Sequence, residues 1–386
     1  METIMNKQHT NNLLHPTLVS FSFSLIQKLA KILTNTISFG VYIEPIIQLV
    51  SPNWKIDRIN AKITAVRHES ANIYTLVLKP SSKWNTYEAG QFIQLSSEIK
   101  GSLITRTFSI SSEPLYFKTS GKIELTIRSQ DQGLLTPWLR TSAQPGNTIY
   151  LSQASGDFKL KNKKPNKLFI AAGSGITAIR PILKQYKNEA WFKGAQLLFY
   201  VNNRRECLFL EDLNELENCG LTYKYIYSEE SGRICQQHLS DFCDDLSDRE
   251  VYLCGPPKMI ETTNELLKAN KVPESNIFFE YFGPPPLKSN DFELDDSEEF
   301  IQVDYLSSKK QVSFKADSTP KTLLDIAESE GINPVSGCRT GVCHQCICKK
   351  KQGRVFNIKT KQYSDSGSEE IQLCLSVPVG HVELEL

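Results

Sequence analysis

The chain has 386 residues, of which 40% are apolar and 23% are charged, with a formal net charge of +1. This length predicts two to four domains, and the composition excludes a disordered chain. The near-neutral charge argues against a nucleic-acid binder, which normally carries a strongly basic face. The ten cysteines occur without a recognisable signal peptide, so we expect a reducing compartment, the cytoplasm.

Residues 1–55 are predicted to form an N-terminal helical arm. Residues 10–27 lack charged side chains, but Asn, His, Pro and Ser interrupt them. They therefore do not form the run of about 20 apolar residues that a membrane-spanning helix needs. Residues 18–33 carry Leu and Ile at helical spacing. Two interpretations stay open for this segment: peripheral contact with the inner membrane or a partner, and a helix that covers the following domain.

Residues 56–160 predict an antiparallel β-barrel. Short strand-like runs are separated there by Gly, Pro and Ser at close spacing, which is typical of barrels and sandwiches. The runs are ITAVRHE, IYTLVLKP, GQFIQLS, ITRTFSISS and GKIELTIRS.

Two motifs lie within this barrel region. The string RTFS, residues 106–109, ends one strand, and a turn at Gly133 opens an apolar helix that contains Thr136. Free N–H groups at a helix N-terminus suit a pyrophosphate, whose charge Arg106 would neutralise by a forked contact. Ser109 would hydrogen-bond a flavin near its reactive edge. Each motif taken singly also fits an ordinary barrel strand or a helix cap.

Residues 161–283 predict a doubly wound α/β domain with a parallel sheet, because buried strands alternate with helices. The turn GSGIT, residues 173–177, follows one strand and opens a helix. Cys254 begins the string CGPP, residues 254–257, directly after another strand. Ligands bind at the carboxyl ends of such strands, so both loops indicate a dinucleotide site. A buried strand cysteine is usually packing, and Cys254 is singled out by the Gly-Pro-Pro that follows it.

The 2′-phosphate of NADPH requires a cationic clamp. Arg204 follows one strand of the predicted sheet, and Ser228 and Arg233 follow the next. Glu229 and Glu230 lie between them and would repel a phosphate, and ordinary surface arginines are the other explanation. We expect NADPH as the donor, with NADH as the alternative.

Residues 284–299 read as a linker, since this segment contains three consecutive prolines and six acidic residues. Residues 300–386 follow, with strand-like runs, a short helix and then the spacing Cys338-x4-Cys343-x2-Cys346, with Cys374 after 27 intervening residues. This spacing is that of plant-type [2Fe–2S] ferredoxins. Zinc is the competing interpretation, although structural zinc sites usually pair two similar knuckles. Cys348 is predicted to be a packing residue.

Taken in order, these motifs resemble the ferredoxin–NADP⁺ reductase superfamily with a plant-type ferredoxin domain fused at the C-terminus. The final domain is then an α+β, ferredoxin-like β-grasp. More narrowly, the strings LVSPNW, GCRTGVCHQCICKKKQGRV and EEIQLCLSVPVGHVELEL resemble the bacterial electron-transfer partner reductases of membrane stearoyl-CoA Δ9 desaturases.

The resemblance implies a role for each matched residue. FAD would be held by Arg106, Phe108 and Ser109, with Gly133 and Thr136 at its pyrophosphate. The nicotinamide dinucleotide would be seated by Gly173, Gly175, Thr177, Cys254, Gly255 and Pro256. Glu280 and Phe282 would end the reductase module beside the flavin, and Ser109, Cys254 and Glu280 would be the catalytic residues. The chain departs from the family pattern at Phe108, at Ala178 and in the string GLLTPWL.

The three cofactors imply a relay. Nicotinamide gives up two electrons together, the cluster takes one at a time, and a flavin handles both. The acceptor implied by the resemblance is a membrane-bound desaturase; the alternatives are another oxygenase, such as an aromatic-ring or alkane hydroxylase, and a non-catalytic redox-sensing module. A zinc-stabilised scaffold is a further alternative.

Overall fold

The computed structural model describes residues 59–99, 102–131, 133–163, 166–281, 292–293, 300–315, 320–337, 339, 341 and 344–386. The predicted N-terminal arm with its segment 18–33, most of the linker, and Phe282, Cys338 and Cys343 lie outside these residues. Contacts divide the chain into the units Met1–Asn60 and Ala61–Leu386. The second unit carries the site.

The first sheet contains six strands in the order β4-β3-β6-β1-β2-β5. Its strands are β1 Ile59–His68, β2 Ile73–Pro80, β3 Phe92–Ile99, β4 Ser102–Ser109, β5 Ile123–Arg128 and β6 Thr148–Leu151. Neighbours β1–β2, β2–β5, β3–β4 and β3–β6 pair antiparallel. Strand β2 is buried from Ile73 to Leu78 and rich in β-branched and aromatic residues, which favour a packed strand. Helices α1 Pro114–Ser120 and α2 Leu135–Ser142 complete this barrel-like layer.

The second sheet contains five strands in the order β11-β10-β7-β8-β9, and every pairing in it is parallel. Its strands are β7 Lys167–Ala172, β8 Gln196–Val201, β9 Thr222–Tyr227, β10 Glu250–Gly255 and β11 Ile277–Tyr281. Its helices are α3 Ile176–Tyr186, α4 Leu210–Asn218, α5 Ser228–Ser231, α6 Gln236–Ser240 and α7 Pro257–Ala269. Separate apolar clusters cover its two faces, and strands buried on both faces read as continuous apolar runs.

The C-terminal segment forms a five-stranded sheet, β13-β12-β19-β14-β17, and a three-stranded sheet, β16-β15-β18. The strands are β12 Phe300–Tyr305, β13 Lys310–Lys315, β14 Ile347–Gln352, β15 Val355–Asn357, β16 Gln362–Tyr363, β17 Glu369–Gln372, β18 Ser376–Pro378 and β19 Val382–Leu384. Helix α8, Leu323–Ser329, packs its buried leucines into the core of this segment. Thr322 caps it by accepting a hydrogen bond from the Asp325 amide at 3.2 Å.

The three-part fold class predicted from the sequence is confirmed. The structure adds strand β11 at the edge of the parallel sheet and the short strands β14 to β19. No helix among the described residues is long and apolar enough to cross a bilayer.

Candidate active site

A cavity of about 1360 Å³ opens onto the barrel, the parallel sheet and the C-terminal segment. Most of the residues predicted to bind the flavin line it. The predicted residues on its wall are Arg106, Phe108, Ser109, Gly133, Thr136, Thr177 and Glu280. The structure therefore brings together residues from four stretches of the chain that the sequence singled out separately.

Strand β4 supplies the first wall. It pairs antiparallel with β3 along its whole length, so Arg106 to Ser109 leave the sheet at a fixed position. Arg106 is half-buried and donates to the Thr105 carbonyl at 2.8 Å. The neighbouring Thr107 Oγ1 is buried without a hydrogen-bond partner. Because buried polar atoms are normally paired, this hydroxyl fits a site that a polar ligand completes.

The turn before α2 supplies the second wall. Gly133 N donates to the Gln130 carbonyl at 2.7 Å, and Gln130 N donates to Thr136 Oγ1 at 3.0 Å. A Cβ at Gly133 would lie 3.0 Å from the Gln130 carbonyl oxygen, so a larger residue would crowd the turn. Tyr74 donates its hydroxyl hydrogen to the Thr136 carbonyl at 2.8 Å and fixes the helix start. The first-turn amides of α2 can then face an anion.

The GSGIT turn supplies the third wall through Ser174 and Thr177. Thr177 Oγ1 donates to the Ser174 carbonyl at 2.8 Å, which closes the turn at the start of α3. A Cβ at Gly175 would lie 2.1 Å from the Cys254 carbonyl oxygen. Glycine is therefore required here by close approach to the β10 backbone.

Cys254, Gly255 and Pro256 are not among the residues that line the cavity. Cys254 lies in the core between the sheet and α3, and burial raises the pKa of its thiol well above the ordinary value. The structure therefore places this predicted catalytic cysteine behind the cavity wall. Its carbonyl, packed against Gly175, is its link to the glycine turn.

Glu280 on β11 pairs in register with Cys254 on β10. Its Oε2 atom is buried without a hydrogen-bond partner, and the residue lines the cavity. Burial raises the pKa of this carboxyl to about 8. A carboxyl with one buried oxygen that has no hydrogen-bond partner, and with a pKa raised close to neutral pH, is typical of a functional site. Such a group can contact a bound ring or hold a proton.

The predicted phosphate clamp lies at the carboxyl ends of β8 and β9. Arg204 stacks over the Tyr227 ring at 5.1 Å and lies 3.8 Å from a Glu230 carboxylate oxygen. Ser228 Oγ is 3.5 Å from Asn202 Oδ1, and Arg233 is exposed after α5. Arg204 thus lies beside Ser228, and one of the predicted opposing glutamates pairs with it.

The C-terminal segment supplies the remaining wall through Gly341 and His344, which lie within the predicted cysteine loop. Of the four predicted ligands, Cys346 and Cys374 are described, and both are buried. Leu373 N donates to the Cys346 carbonyl at 3.0 Å, which ties the two cysteine segments together. Gly341 has a φ of +75°, and a Cβ there would lie 2.1 Å from Leu375 Cδ1. Two buried cysteines on segments joined by a backbone hydrogen bond fit half of a four-thiolate cluster ligand set.

Cys348 lies in β14 and packs in the core of the C-terminal segment, as predicted. Burial raises the pKa of its thiol to about 11. This thiol is therefore protonated near neutral pH and serves as a small apolar side chain.

Two charged contacts at the site were not predicted. Arg128, at the end of β5, lines the cavity and pairs with Glu206 at 2.8 Å. Arg180 on α3 donates to Asp212 at 2.6 Å and to the Ser111 carbonyl at 2.6 Å. These contacts join the barrel to the parallel sheet. The partner of a single arginine cannot be identified from the sequence. The one clue is that Arg180 lies three residues after the GSGIT turn, which places it near the predicted nucleotide site.

The comparisons with known proteins match this division of the chain. The family model described as "Oxidoreductase FAD-binding domain" matches residues 60–160. The model for "Oxidoreductase NAD-binding domain" matches residues 169–265, and that for "2Fe-2S iron-sulfur cluster binding domain" matches residues 307–379.

Two curated relatives and one solved structure extend the match to most of the chain. The ferredoxin reductase component of 3-ketosteroid-9-alpha-monooxygenase from Mycobacterium tuberculosis is 30% identical over 281 residues, 70% of this chain and 76% of the relative. The glycine betaine monooxygenase reductase subunit of Chromohalobacter salexigens is 22% identical, over 87% of this chain and 98% of the relative. Phthalate dioxygenase reductase has the same fold, with a TM-score of 0.58 at 17% identity over 85% of this chain and 98% of that one.

The cavity walls fit a flavin nucleotide and a nicotinamide, and the buried thiols fit a cluster. The protein is an NAD(P)H-dependent oxidoreductase with FAD and [2Fe–2S] as its cofactors. The chain therefore belongs to the ferredoxin reductase family, in the arrangement that carries a C-terminal [2Fe–2S] domain.

Proposed function

We propose that this chain is the reductase component of an oxygenase system and delivers electrons from NADPH to a terminal oxygenase. The observation that carries the proposal is the shared cavity, onto which the flavin strand β4, the GSGIT turn and the cysteine loop all open. A reductase that connects a two-electron donor to a one-electron carrier needs all three side by side. A nucleotide sensor has no need for the cysteine loop at that place.

The chain's own residues would divide the binding work. Arg106 and the first-turn amides of α2, after Gly133, would neutralise and orient the flavin pyrophosphate. Ser109, buried at the end of β4, would hydrogen-bond the ring system beside Phe108. The turn from Gly173 to Thr177 would seat the nicotinamide dinucleotide. FAD bound by these residues would supply the change from two-electron to one-electron transfer between nicotinamide and cluster.

Glu280 would supply the polar group at the reacting edge of the cavity. Its carboxyl lies against the neighbouring strand rather than in solvent, and its raised pKa of about 8 keeps it mostly protonated at neutral pH. A neutral carboxyl can donate a hydrogen bond to a ring nitrogen or a carboxamide without repelling the hydride donor. Cys254 would act from behind by holding the glycine turn close to β10.

Four cysteines would hold the cluster: Cys338, Cys343, Cys346 and Cys374. Thiolates are the usual ligands of [2Fe–2S] centres, and the tie between Leu373 and Cys346 keeps the fourth ligand segment beside the loop. Gly341 and His344 line the cavity together with Ile358, Lys359 and Lys361, so this loop shares the cavity with the flavin wall.

Two acceptors were expected from the sequence, and the relatives favour the second. Both curated relatives described above are reductase components of monooxygenases by their names. A stearoyl-CoA Δ9 desaturase stays a prediction drawn from the resemblance of the terminal strings. We therefore propose that the acceptor is an oxygenase, and the experiment below also tests the desaturase as the alternative acceptor.

The acceptor is tested with the purified, cofactor-loaded protein and NADPH. Consumption of NADPH is measured with a purified oxygenase component, with desaturase-containing membranes, and with neither. Substrate-dependent turnover with the oxygenase supports the proposal. If NADPH is consumed with the desaturase membranes but with no oxygenase, the acceptor is the desaturase. If neither NADPH nor NADH is oxidised with artificial acceptors, the chain is not a reductase.

The donor is tested at Arg204. Arg204→Ala is expected to raise the KM for NADPH about tenfold and to leave that for NADH unchanged, because a 2′-phosphate loses its cationic partner. Lys224→Ala, which removes an exposed charge on the neighbouring strand β9, serves as the control. Equal effects of Arg204→Ala on the two donors would contradict the clamp.

A further inference from the structure

We propose that Gln345 and Gln94 form the docking contact that holds the cysteine loop against strand β3, beside the flavin strand β4, and sets the rate of electron transfer from flavin to cluster. Gln345 Nε2 donates to Gln94 Oε1 at 3.1 Å, between residues 251 positions apart in the chain. The inference rests on the proposed function and names the positioning residues within it.

On the barrel side, Gln94 has a fixed backbone. Its N–H donates to Ser152 Oγ at 2.9 Å, and its carbonyl accepts from Ser152 N at 2.9 Å. It lies directly opposite Thr107 on β4, within the RTFS string that lines the cavity. Opposite residues of an antiparallel pair share a face of the sheet. The Gln94 amide therefore projects from the face that carries Thr107.

On the loop side, Gln345 sits between His344, which lines the cavity, and Cys346. Gln372 stiffens this loop from the strand before Cys374. Its Nε2 donates to the Gly341 carbonyl at 3.0 Å and lies 3.1 Å from His344 Nδ1. Because these contacts tie Gly341 and His344 to β17, a contact at Gln345 positions the described residues of the loop that face the cavity.

The charges around the contact explain why an uncharged pair is suited to this place. Burial and the positive charge of Arg339 lower the pKa of Arg106, so the two guanidinium groups oppose each other across the junction. Arg339 is in turn held by Glu328 at 2.7 Å and Asp325 at 3.6 Å. The two arginines repel each other, and the acidic residues nearby already pair with Arg339. The attraction at this junction therefore comes from the hydrogen bond between the two glutamine amides.

Such a contact is strong enough to hold the loop and weak enough to release it. A neutral hydrogen bond changes an equilibrium by about threefold to tenfold. A reductase whose cluster must also reach an acceptor protein benefits from a contact of this strength.

The test uses Gln345→Leu, Gln94→Leu and the double variant in the cofactor-loaded full chain. The matched control is Gln362→Leu, the same change at an exposed position on β16. Hydrogen exchange of residues 92–96 and 341–347 reports docking, and anaerobic stopped-flow with NADPH reports electron transfer from flavin to cluster. The cluster's electron paramagnetic resonance spectrum and its potential confirm an intact site in each variant.

Each single variant is expected to exchange both segments about threefold to tenfold faster and to slow cluster reduction by a similar factor. The double variant is expected to lose no more than either single one, since both remove the same contact. Flavin reduction by NADPH stays at the wild-type rate. Wild-type exchange and transfer rates in all three variants, or strictly additive losses, overturn the inference.

The outcome is separable from that of the proposed function. If the wild-type protein takes electrons from NADPH into the flavin but never reduces the cluster, the proposed function fails, while hydrogen exchange still decides whether the two glutamines dock the loop. If a leucine variant does not fold, Gln345→Asn retains the amide on a shorter side chain that no longer reaches Gln94. It is expected to reproduce the faster exchange.

Discussion

At the residue scale, Glu280 combines a buried, unpartnered oxygen with a pKa raised to about 8. The ordinary value is 4.5. The folded protein therefore holds a proton that the unfolded chain loses between these two values, so stability falls as pH rises through that window. Below about pH 4.5 the carboxyl is protonated in both the folded and the unfolded protein, so it does not affect stability. Above about pH 8 it is ionised in both, and the loss of folding stability no longer changes with pH.

Glu280→Gln removes this titration. The melting temperature of the variant is expected to equal that of the wild type near pH 4.5 and to exceed it increasingly up to pH 8. At pH 8 the free energy of unfolding should differ between the two proteins by an amount on the order of a few kcal/mol. Differential scanning calorimetry across this range measures the gap. Parallel curves for the two proteins would show that the carboxyl is not held protonated.

Gly175 makes a prediction of a different kind. Gly175→Ala is expected to destabilise the nucleotide-binding sheet by about 1–3 kcal/mol, because the new Cβ would lie 2.1 Å from a backbone oxygen of β10 that cannot swing away. Gly194→Ala is the matched control, since the nearest atom to its Cβ is 3.8 Å away. Thermal unfolding and NADPH affinity are the readouts, and equal melting temperatures for the two variants would contradict the close approach.

At the element scale, α3 is bound to the barrel through Arg180. This buried guanidinium reaches Asp212 on α4, and a Glu124 oxygen on β5 lies 3.3 Å away. Burial raises the pKa of Asp212, but Arg180 and Lys184 outweigh that effect and lower it overall. The helix that starts at the glycine turn is thus held in a fixed relation to the flavin strands.

Arg180→Met is expected to cost about 1.5–3 kcal/mol, because two carboxylates lose the charged hydrogen bonds of a buried guanidinium. The cost stays below that of an unpaired buried charge, since Lys184 still pairs with Asp212 and Arg67 with Glu124. Lys187→Met, which breaks an exposed ion pair between the C-terminal end of α3 and Glu215 on α4, should cost only about 0–1 kcal/mol. Chemical denaturation of both variants measures the difference. Similar losses would mean that the buried network contributes no more than a surface pair.

Much of this element structure follows from sequence patterns. The runs KLFIAAG and AQLLFYVNN contain strands β7 and β8, since continuous apolar runs bounded by turns are typical of parallel strands. Strand β11 was not predicted as a sheet strand, because its FFEY segment directly precedes a proline run and has no helix after it. The position of Cys254 behind the wall was also unpredictable, because sequence does not tell which side of a buried strand faces a ligand.

Contacts between distant segments are the part that the sequence could not supply. Arg128 and Glu206 are 78 positions apart, and Gln94 and Gln345 are 251 apart. A single arginine or glutamine has no periodicity or spacing that identifies its partner. The motifs located the walls of the cavity, whereas the contacts that join the walls required the three-dimensional structure.

At the scale of the whole molecule, the three parts of the chain are arranged for a serial relay of electrons. The barrel, the parallel sheet and the C-terminal segment all contribute to the wall of the same cavity. Electrons from the nicotinamide should therefore pass the flavin before they reach the cluster. Removal of one cluster ligand should break the chain after the flavin and leave the earlier step intact.

The most direct measurement compares wild type and Cys343→Ser under anaerobic conditions after mixing with NADPH. In the wild type, flavin absorbance is expected to bleach first and cluster absorbance second, with reduction of both cytochrome c and ferricyanide. The variant should bleach its flavin at the wild-type rate and reduce ferricyanide, but it should lose the cluster signal and cytochrome c reduction. Undiminished cytochrome c reduction by the variant would contradict the relay.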